Sequence, residues 1–270
     1  MKSLRSALAK LPAYLWSGWG AIASLLLLVA AWEAVALQYG PLVLPDPRTA
    51  FATLAHSLVV GTAGPELMAT ARRALAGFAL SVVGGSALGL LAGVSMTAST
   101  MSRPIVTVLL GTPPIAWLVL AMLWFGASDG TPVFTVFVAA FPVVFVGALQ
   151  GARTLDNQLK TMARAFALPP RMMFVDVYLP HVVSYLFPAW ISALGISWKV
   201  VVMAELLSSP DGIGAALAIA RSQLDTAATM GWIVAVVGAL LAVEYLLLEP
   251  IKREVERWRE PGTASGGAPS

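Results

Sequence analysis

Six stretches of about 20 mostly apolar residues dominate this sequence, and a run of that length has the dimensions of a helix crossing a bilayer. They extend roughly from Trp19 to Leu37, Ala74 to Val94, Pro104 to Phe125, Val133 to Leu149, Phe187 to Leu207 and Met230 to Leu248. Of the 270 residues, 58% are hydrophobic and 11% are charged, against roughly 25% charged in a soluble domain. The deficit points to lipid as the solvent, and so to an all-α membrane protein with about six transmembrane helices. The first run is too long for a signal peptide's apolar region and no small-residue cleavage site follows it, so it is expected to be a retained helix.

Charge placement sets an expected orientation, because Lys and Arg are enriched on the cytoplasmic side. With the N-terminus inside, twelve basic residues fall on inner segments, while Arg48, Arg72, Arg73 and Arg221 fall on outer ones. Lys199 is left inside a span. Both termini are therefore expected to be cytoplasmic. The outer connection from Gly40 to Thr70 carries Pro41, Pro45 and Pro47 and an apolar patch, Phe51 to Val60, suited to a short interfacial helix. The tail from Pro261 to Ser270 is rich in Gly, Ser, Ala and Pro and is expected to be disordered. The chain divides no further: one domain over 1–270, with its bundle over 19–248.

The same composition excludes several chemistries. Without cysteine there is no disulfide, thiolate metal site or cysteine nucleophile. The two histidines, His56 and His181, lie outside the apolar runs, so neither a histidine metal centre nor a Ser-His pair at membrane depth is available. No lysine follows a glycine, so the phosphate-cradling Gly-Lys-Ser/Thr loop is missing and a nucleotide must be bound elsewhere. A secondary transporter, the alternative function, would need a repeat and a midplane ion site; neither is visible.

The inner loop over 151–180 carries the most specific pattern, TMARAFALPPRMMFVDVYLP from Thr161 to Pro180. It resembles the signature loop of bacterial ABC-importer permeases, in which a Glu-Ala-Ala element is followed at fixed spacing by Gly and then by Ile, any residue, Leu and Pro. The spacing is kept, with Thr161, Met162, Ala163, then Ala167, then Val177, Leu179 and Pro180 at those positions, but Thr161, Met162, Ala167 and Val177 depart from the family's residue types. The flanks LLGTPPIAWLVLAMLWFG, FPVVFVGALQGARTLD and LVLPDPRTAF resemble the subfamily of nitrate, taurine and aliphatic-sulfonate permeases. The loop's own physics agrees. Met162, Ala163, Phe166 and Ala167 recur at helical spacing, small residues let a helix sit deep, and Pro169 and Pro170 end it.

The resemblance implies the type I ABC-importer permease fold. The partners would be two ATPase subunits holding ATP and Mg, a second permease copy (a homodimer) and a periplasmic or lipid-anchored binding protein, in the bacterial inner membrane. No cofactor, metal or nucleic acid is expected on this chain. Thr161, Met162, Ala163, Arg164, Phe166, Ala167, Leu179 and Pro180 would form the coupling loop to the ATPase, while an ordinary solvated connector is the alternative.

Polar residues in spans are costly and so are candidates for the solute path. Lys199 either faces an anion pathway or pairs with a carboxylate on another helix, such as Glu33 or Glu244. Glu205, six residues on, lies about 120° away around the helix and about 9 Å along it, which argues against a direct pair. Thr112, Pro113 and Pro114 interrupt the third run, either lining a path or only shaping packing, and Trp117 contacts solute or packs. Gly77, Ser81, Gly85, Gly89 and Gly93, each four apart, make a small-residue face for close helix packing or, alternatively, for the path. Asp211, Gly212 and Gly214 lie in the outer connection Ser208–Thr226, a candidate gate or contact for the binding protein, or a plain re-entrant connector, with the glycines as flexible turns.

Overall fold

A computed structural model describes residues 22–154 and 169–243. Those residues form helices and short connections, without strands. In chain order they are α1 (Ile22–Tyr39), α2 (Pro47–Val60), α3 (Ala63–Val94), α4 (Met96–Gly111), α5 (Pro114–Phe125), α6 (Gly130–Arg153), α7 (Leu179–Ser208), α8 (Ile213–Ser222) and α9 (Thr226–Ala242). A three-residue turn at Pro170–Met172 and a π-helical stretch over Met173–Tyr178 lead into α7. Helices α1, α3, α6 and α7 are each long and apolar enough to cross a membrane, and the bent pair α4–α5 makes a fifth crossing if it counts as one. The chain is thus a multi-pass, all-helical membrane protein, as its composition requires.

The core is built on the small-residue stripe. A Cβ added at Gly77 would lie 2.6 Å from the Val136 side chain, and one at Gly85 would lie 2.8 Å from that of Val144. At Gly89 it would strike the Phe145 carbonyl, and at Gly93 the Ala152 methyl. The partner numbers rise together, so α3 and α6 run parallel with their backbones pressed together. Without a hydrophobic drive between helices in lipid, this close van der Waals approach is what holds them. Ser81, in the same row, donates to the Gly77 carbonyl at 2.8 Å and to that of Phe137 at 3.1 Å. Helix α7 covers the other side of α6 in the opposite direction, with Gly147 against Ala189 and Gly151 against Tyr185 and Val182. Indole N–H bonds tie α7 further, from Trp190 to the Ser86 hydroxyl and from Trp198 to the Val236 carbonyl. The stripe therefore packs the bundle.

Two expectations need correction. The second span does not begin at Ala74 but belongs to a helix starting at Ala63, so Arg72 and Arg73 are not loop charges. Lys199 is accordingly not the only cation on a spanning helix. The third span starts earlier than Pro104, at Met96, and is broken into two helices set at 91°. The cause of the break is the pair Pro113–Pro114, which lacks two consecutive amide donors and clashes with the preceding turn. Thr112 closes the first helix, since both its N–H (3.0 Å) and its hydroxyl (2.7 Å) donate to the Val108 carbonyl. The apolar patch after Pro47 forms a helix as expected, opened by Asp46, whose carboxylate accepts from the Thr49 amide.

Candidate functional site

Arg73 lies four residues before Gly77 and so continues the stripe that faces α6. At that level α6 is only beginning, and the space beside α3 is filled by the guanidinium instead. Arg73 is 2% exposed, and all five of its N–H groups are used. One terminal nitrogen donates to Glu205 Oε1 at 2.9 Å and to the Asp211 backbone carbonyl at 2.8 Å. Nε and the other terminal nitrogen donate to Asp129 Oδ1 at 2.8 and 2.5 Å, and the latter also reaches the Asp211 carboxylate. A planar fork with five fixed donors is what makes an arginine suited to gathering three acidic residues.

Glu205, on α7, is fully buried. Its second oxygen accepts from the Thr70 hydroxyl at 2.7 Å and from the Gly214 amide at 3.2 Å. Thr70 in turn accepts from the Ile213 amide at 2.8 Å, and Glu66 accepts from that of Gly212. Three successive amides at the start of α8 are thus received by side chains of α3 and α7. Helix N-termini leave such donors without intrahelical partners and carry partial positive charge, so a buried carboxylate there is doubly favoured. Gly212 adopts φ 101°, and a Cβ on it would lie 2.5 Å from the Glu205 carboxyl carbon. A Cβ on Gly214 would strike the Val202 carbonyl and lie 2.6 Å from Glu205 Cβ. Gly212 is required by both close approach and left-handed backbone, and Gly214 by close approach alone.

Asp129, at the foot of α6, is half-exposed and also meets Arg72 at 2.6 Å. The hydrogen bond from Arg73, with the charge of both arginines, holds its carboxyl below the usual carboxylate range. Since every donor of Arg73 is engaged, this arginine has none left for a passing anion. The cluster is an anchor that fastens α8 to the same end of α3, α6 and α7.

The structure brings Glu205, Asp211, Gly212 and Gly214 together in that anchor. It does not bring Lys199 to it: Lys199 is exposed and makes no hydrogen bond or ion pair among the described residues. On the same face of α7, Ser192 is exposed and a Cβ added to Gly195 would meet open space. Glu33 does not pair with Lys199, and Glu244 lies outside the described residues. Thr112 and Pro114 are half-buried, Pro113 is exposed, and Trp117 is half-buried with its Nε1 lacking a hydrogen-bond partner among the described residues. Helix α5, which carries Pro114 and Trp117, packs on α6 and touches α7. Leu179 and Pro180 are exposed at the start of α7. Thr161, Met162, Ala163, Arg164, Phe166 and Ala167 lie outside the described residues, as does the tail 261–270. Sequence reasoning missed Arg73, Thr70, Glu66 and Asp129. The signal was present, since Arg73 extends the row Gly77, Ser81, Gly85 backward by one step of four.

Long apolar helices, a helix pair broken by prolines and a buried ionic anchor at one end define a polytopic integral membrane protein. Residues 85–258, well over half of the chain, match the family described as binding-protein-dependent transport system inner membrane component, and the chain belongs to that family. It is 32% identical over 149 residues to the nitrate import permease protein NrtB of Leptolyngbya laminosa, which covers 55% of this chain and about half (53%) of that relative. It is 29% identical to the putative aliphatic sulfonates transport permease protein SsuC of Bacillus subtilis (strain 168), over 86% of this chain and 84% of that one. A probable ABC transporter permease of Brucella abortus (strain 2308) is 28% identical over 82% of this chain and 88% of its own length. The expected kinship with ABC-importer permeases of the nitrate and sulfonate kind therefore holds.

Proposed function

We propose that this chain forms the translocation path of an importer driven by separate ATPase subunits, and that its solute is a small organic or inorganic anion. Family membership and the nitrate and sulfonate relatives support the first part. The observation that carries the second is Lys199. It lies nine residues before the end of α7, or about 14 Å below it at 1.5 Å per residue, and so deep in a core of about 30 Å. A cation there without a carboxylate is costly against lipid, and far less so where its open face lines water between two facing copies. An anion entering that water would feel the charge strongly, because the surrounding dielectric is low.

In this reading two copies pair, and a periplasmic or lipid-anchored binding protein delivers solute to the end that carries the Arg73 anchor. Two ATPases bind ATP and Mg on the cytoplasmic side and dock on the loop containing Thr161, Met162, Ala163, Arg164, Phe166 and Ala167. Both termini face the cytoplasm across a bacterial inner membrane, consistent with the basic residues of the inner segments. The test is co-expression with the cognate ATPase and binding protein. The ATPase should co-purify with the wild-type chain and be lost from Ala163→Arg, whose membrane insertion stays normal. Uptake by the chain without any ATPase, driven by an ion gradient, would sink the reading in favour of a secondary transporter.

A further inference from the structure

Two adjoining cavities run along α1. The first, about 520 Å³, is lined by Leu25, Leu28 and Trp32 of α1, Phe51 of α2, and Val234 and Leu241 of α9. The second, about 330 Å³, is lined by Glu33, Ala36, Gly40, Pro41 and Asp46. Leu44 borders both. The apolar trough thus follows α1 from Leu25 to Trp32, and an acidic mouth follows from Glu33 onward. The Thr226 hydroxyl fastens the start of α9 to the Pro41 carbonyl at 3.1 Å, which keeps the mouth end of the groove in place.

From this geometry we infer that the groove between α1 and α9 binds one phospholipid with an ammonium headgroup, its acyl chain in the trough and its amine at the mouth. The trough offers water no partner, because the only polar group on its lining side chains, the Trp32 indole N–H, is already bonded to the Pro45 carbonyl at 2.9 Å. An apolar space of this kind stays dry and takes a hydrocarbon. Trp32 stands at the junction of trough and mouth, and tryptophan is enriched where apolar chain meets polar headgroup. Charge then selects the headgroup. Glu33 is half-buried and makes no hydrogen bond or ion pair among the described residues. Asp46, across the mouth, has its carboxylate turned to Thr49 and still adds negative charge. A second anion would be repelled from this mouth, whereas an ammonium group supplies donors for the carboxylate that lacks one.

The inference is independent of which solute the chain carries. The purified full-length chain is offered equal amounts of phosphatidylethanolamine and phosphatidylglycerol with the same acyl chains, and bound lipid is read by native mass spectrometry. Retention of the ethanolamine lipid should exceed that of the glycerol lipid by about tenfold, the worth of one charge-assisted hydrogen bond. Glu33→Gln should bring the ratio close to one while lipid still binds. Gly238→Leu should lower retention of both, because Gly238 lines the trough and a Cβ there meets open space, so the variant folds and fills it. Equal retention by the wild type, a preference that survives Glu33→Gln, or undiminished binding by Gly238→Leu would each overturn the site. So would a rise in lipid retention on deleting residues 2–18, which would make the chain's own N-terminal segment the occupant.

Discussion

Arg73 and Glu205 lie 132 positions apart in the sequence and meet at 2.9 Å, both almost wholly removed from solvent. The pair joins the beginning of α3 to the end of α7, and the α8 amides complete it. Removing one member of a buried ion pair strands the other, which costs about 3–5 kcal/mol. Arg73→Met should therefore lower the thermal unfolding midpoint in detergent sharply. Glu205→Gln should cost less, about 1–3 kcal/mol, since Arg73 keeps Asp129 and Asp211. An Arg73→Met chain as stable as wild type would mean that the anchor contributes nothing to the fold.

Asp129 gives this anchor a pH dependence. Its carboxyl sits below its ordinary 3.8, because Arg73 donates to it. Its contribution is therefore present above pH 3.8, where the unfolded group is also ionised, and is lost as pH falls through the lower folded value. The unfolding midpoint should decline on acidification below about pH 4, and Asp129→Asn should flatten that decline while lowering the midpoint at neutral pH, where the carboxylate's contribution is fully present. An identical acid limb in the variant would assign the loss to other carboxylates.

The stripe on α3 supplies its own control. Gly77→Ala and Gly89→Ala place a methyl against Val136 and against the Phe145 backbone, and should each destabilise the bundle by about 1–3 kcal/mol. Gly195→Ala, which meets open space, should cause no loss and gain up to about 1 kcal/mol, the helix preference of Ala over Gly. The three unfolding curves, measured side by side, decide this, and equal midpoints for all three would contradict the close approach.

Lys199→Met separates a path residue from a structural one. Because Lys199 has no partner among the described residues, the variant should assemble and melt like wild type while uptake falls at least tenfold, corresponding to about 1.4 kcal/mol. Full uptake by a well-assembled variant would remove Lys199 from the path. A loss of yield or stability would indicate a partner on another chain.

The bundle itself was legible because lipid leaves few choices: each apolar run had to be a helix, and the four-residue spacing from Gly77 to Gly93 announced a packing face. The anchor was not, since a charged pair at Arg72–Arg73 beside Pro- and Gly-containing sequence looks like a connection by composition. Only its position in the row of small residues marks it as helical and inward-facing. Gly212 and Gly214 were noticed for the right residue type and the wrong reason, because flexibility is visible in a sequence and the nearness of the Glu205 side chain is not. The break at Pro113–Pro114 could be read from the sequence, but its 91° angle depends on what α5 packs against.

The parallel α3–α6 seam restricts how this chain can move. Its contacts repeat at a pitch of four residues, like meshed teeth, with no Cβ at the glycine positions to be pushed aside. Sliding one helix by a single residue, about 1.5 Å, would bring Val136 or Val144 onto flanking side chains instead of glycine. Shear along the seam is therefore blocked, and any rearrangement has to swing α3 and α6 as one rigid beam. The bending falls to the elbows outside it, at Ser95 and at Thr112–Pro113, where the helical ladder is already interrupted.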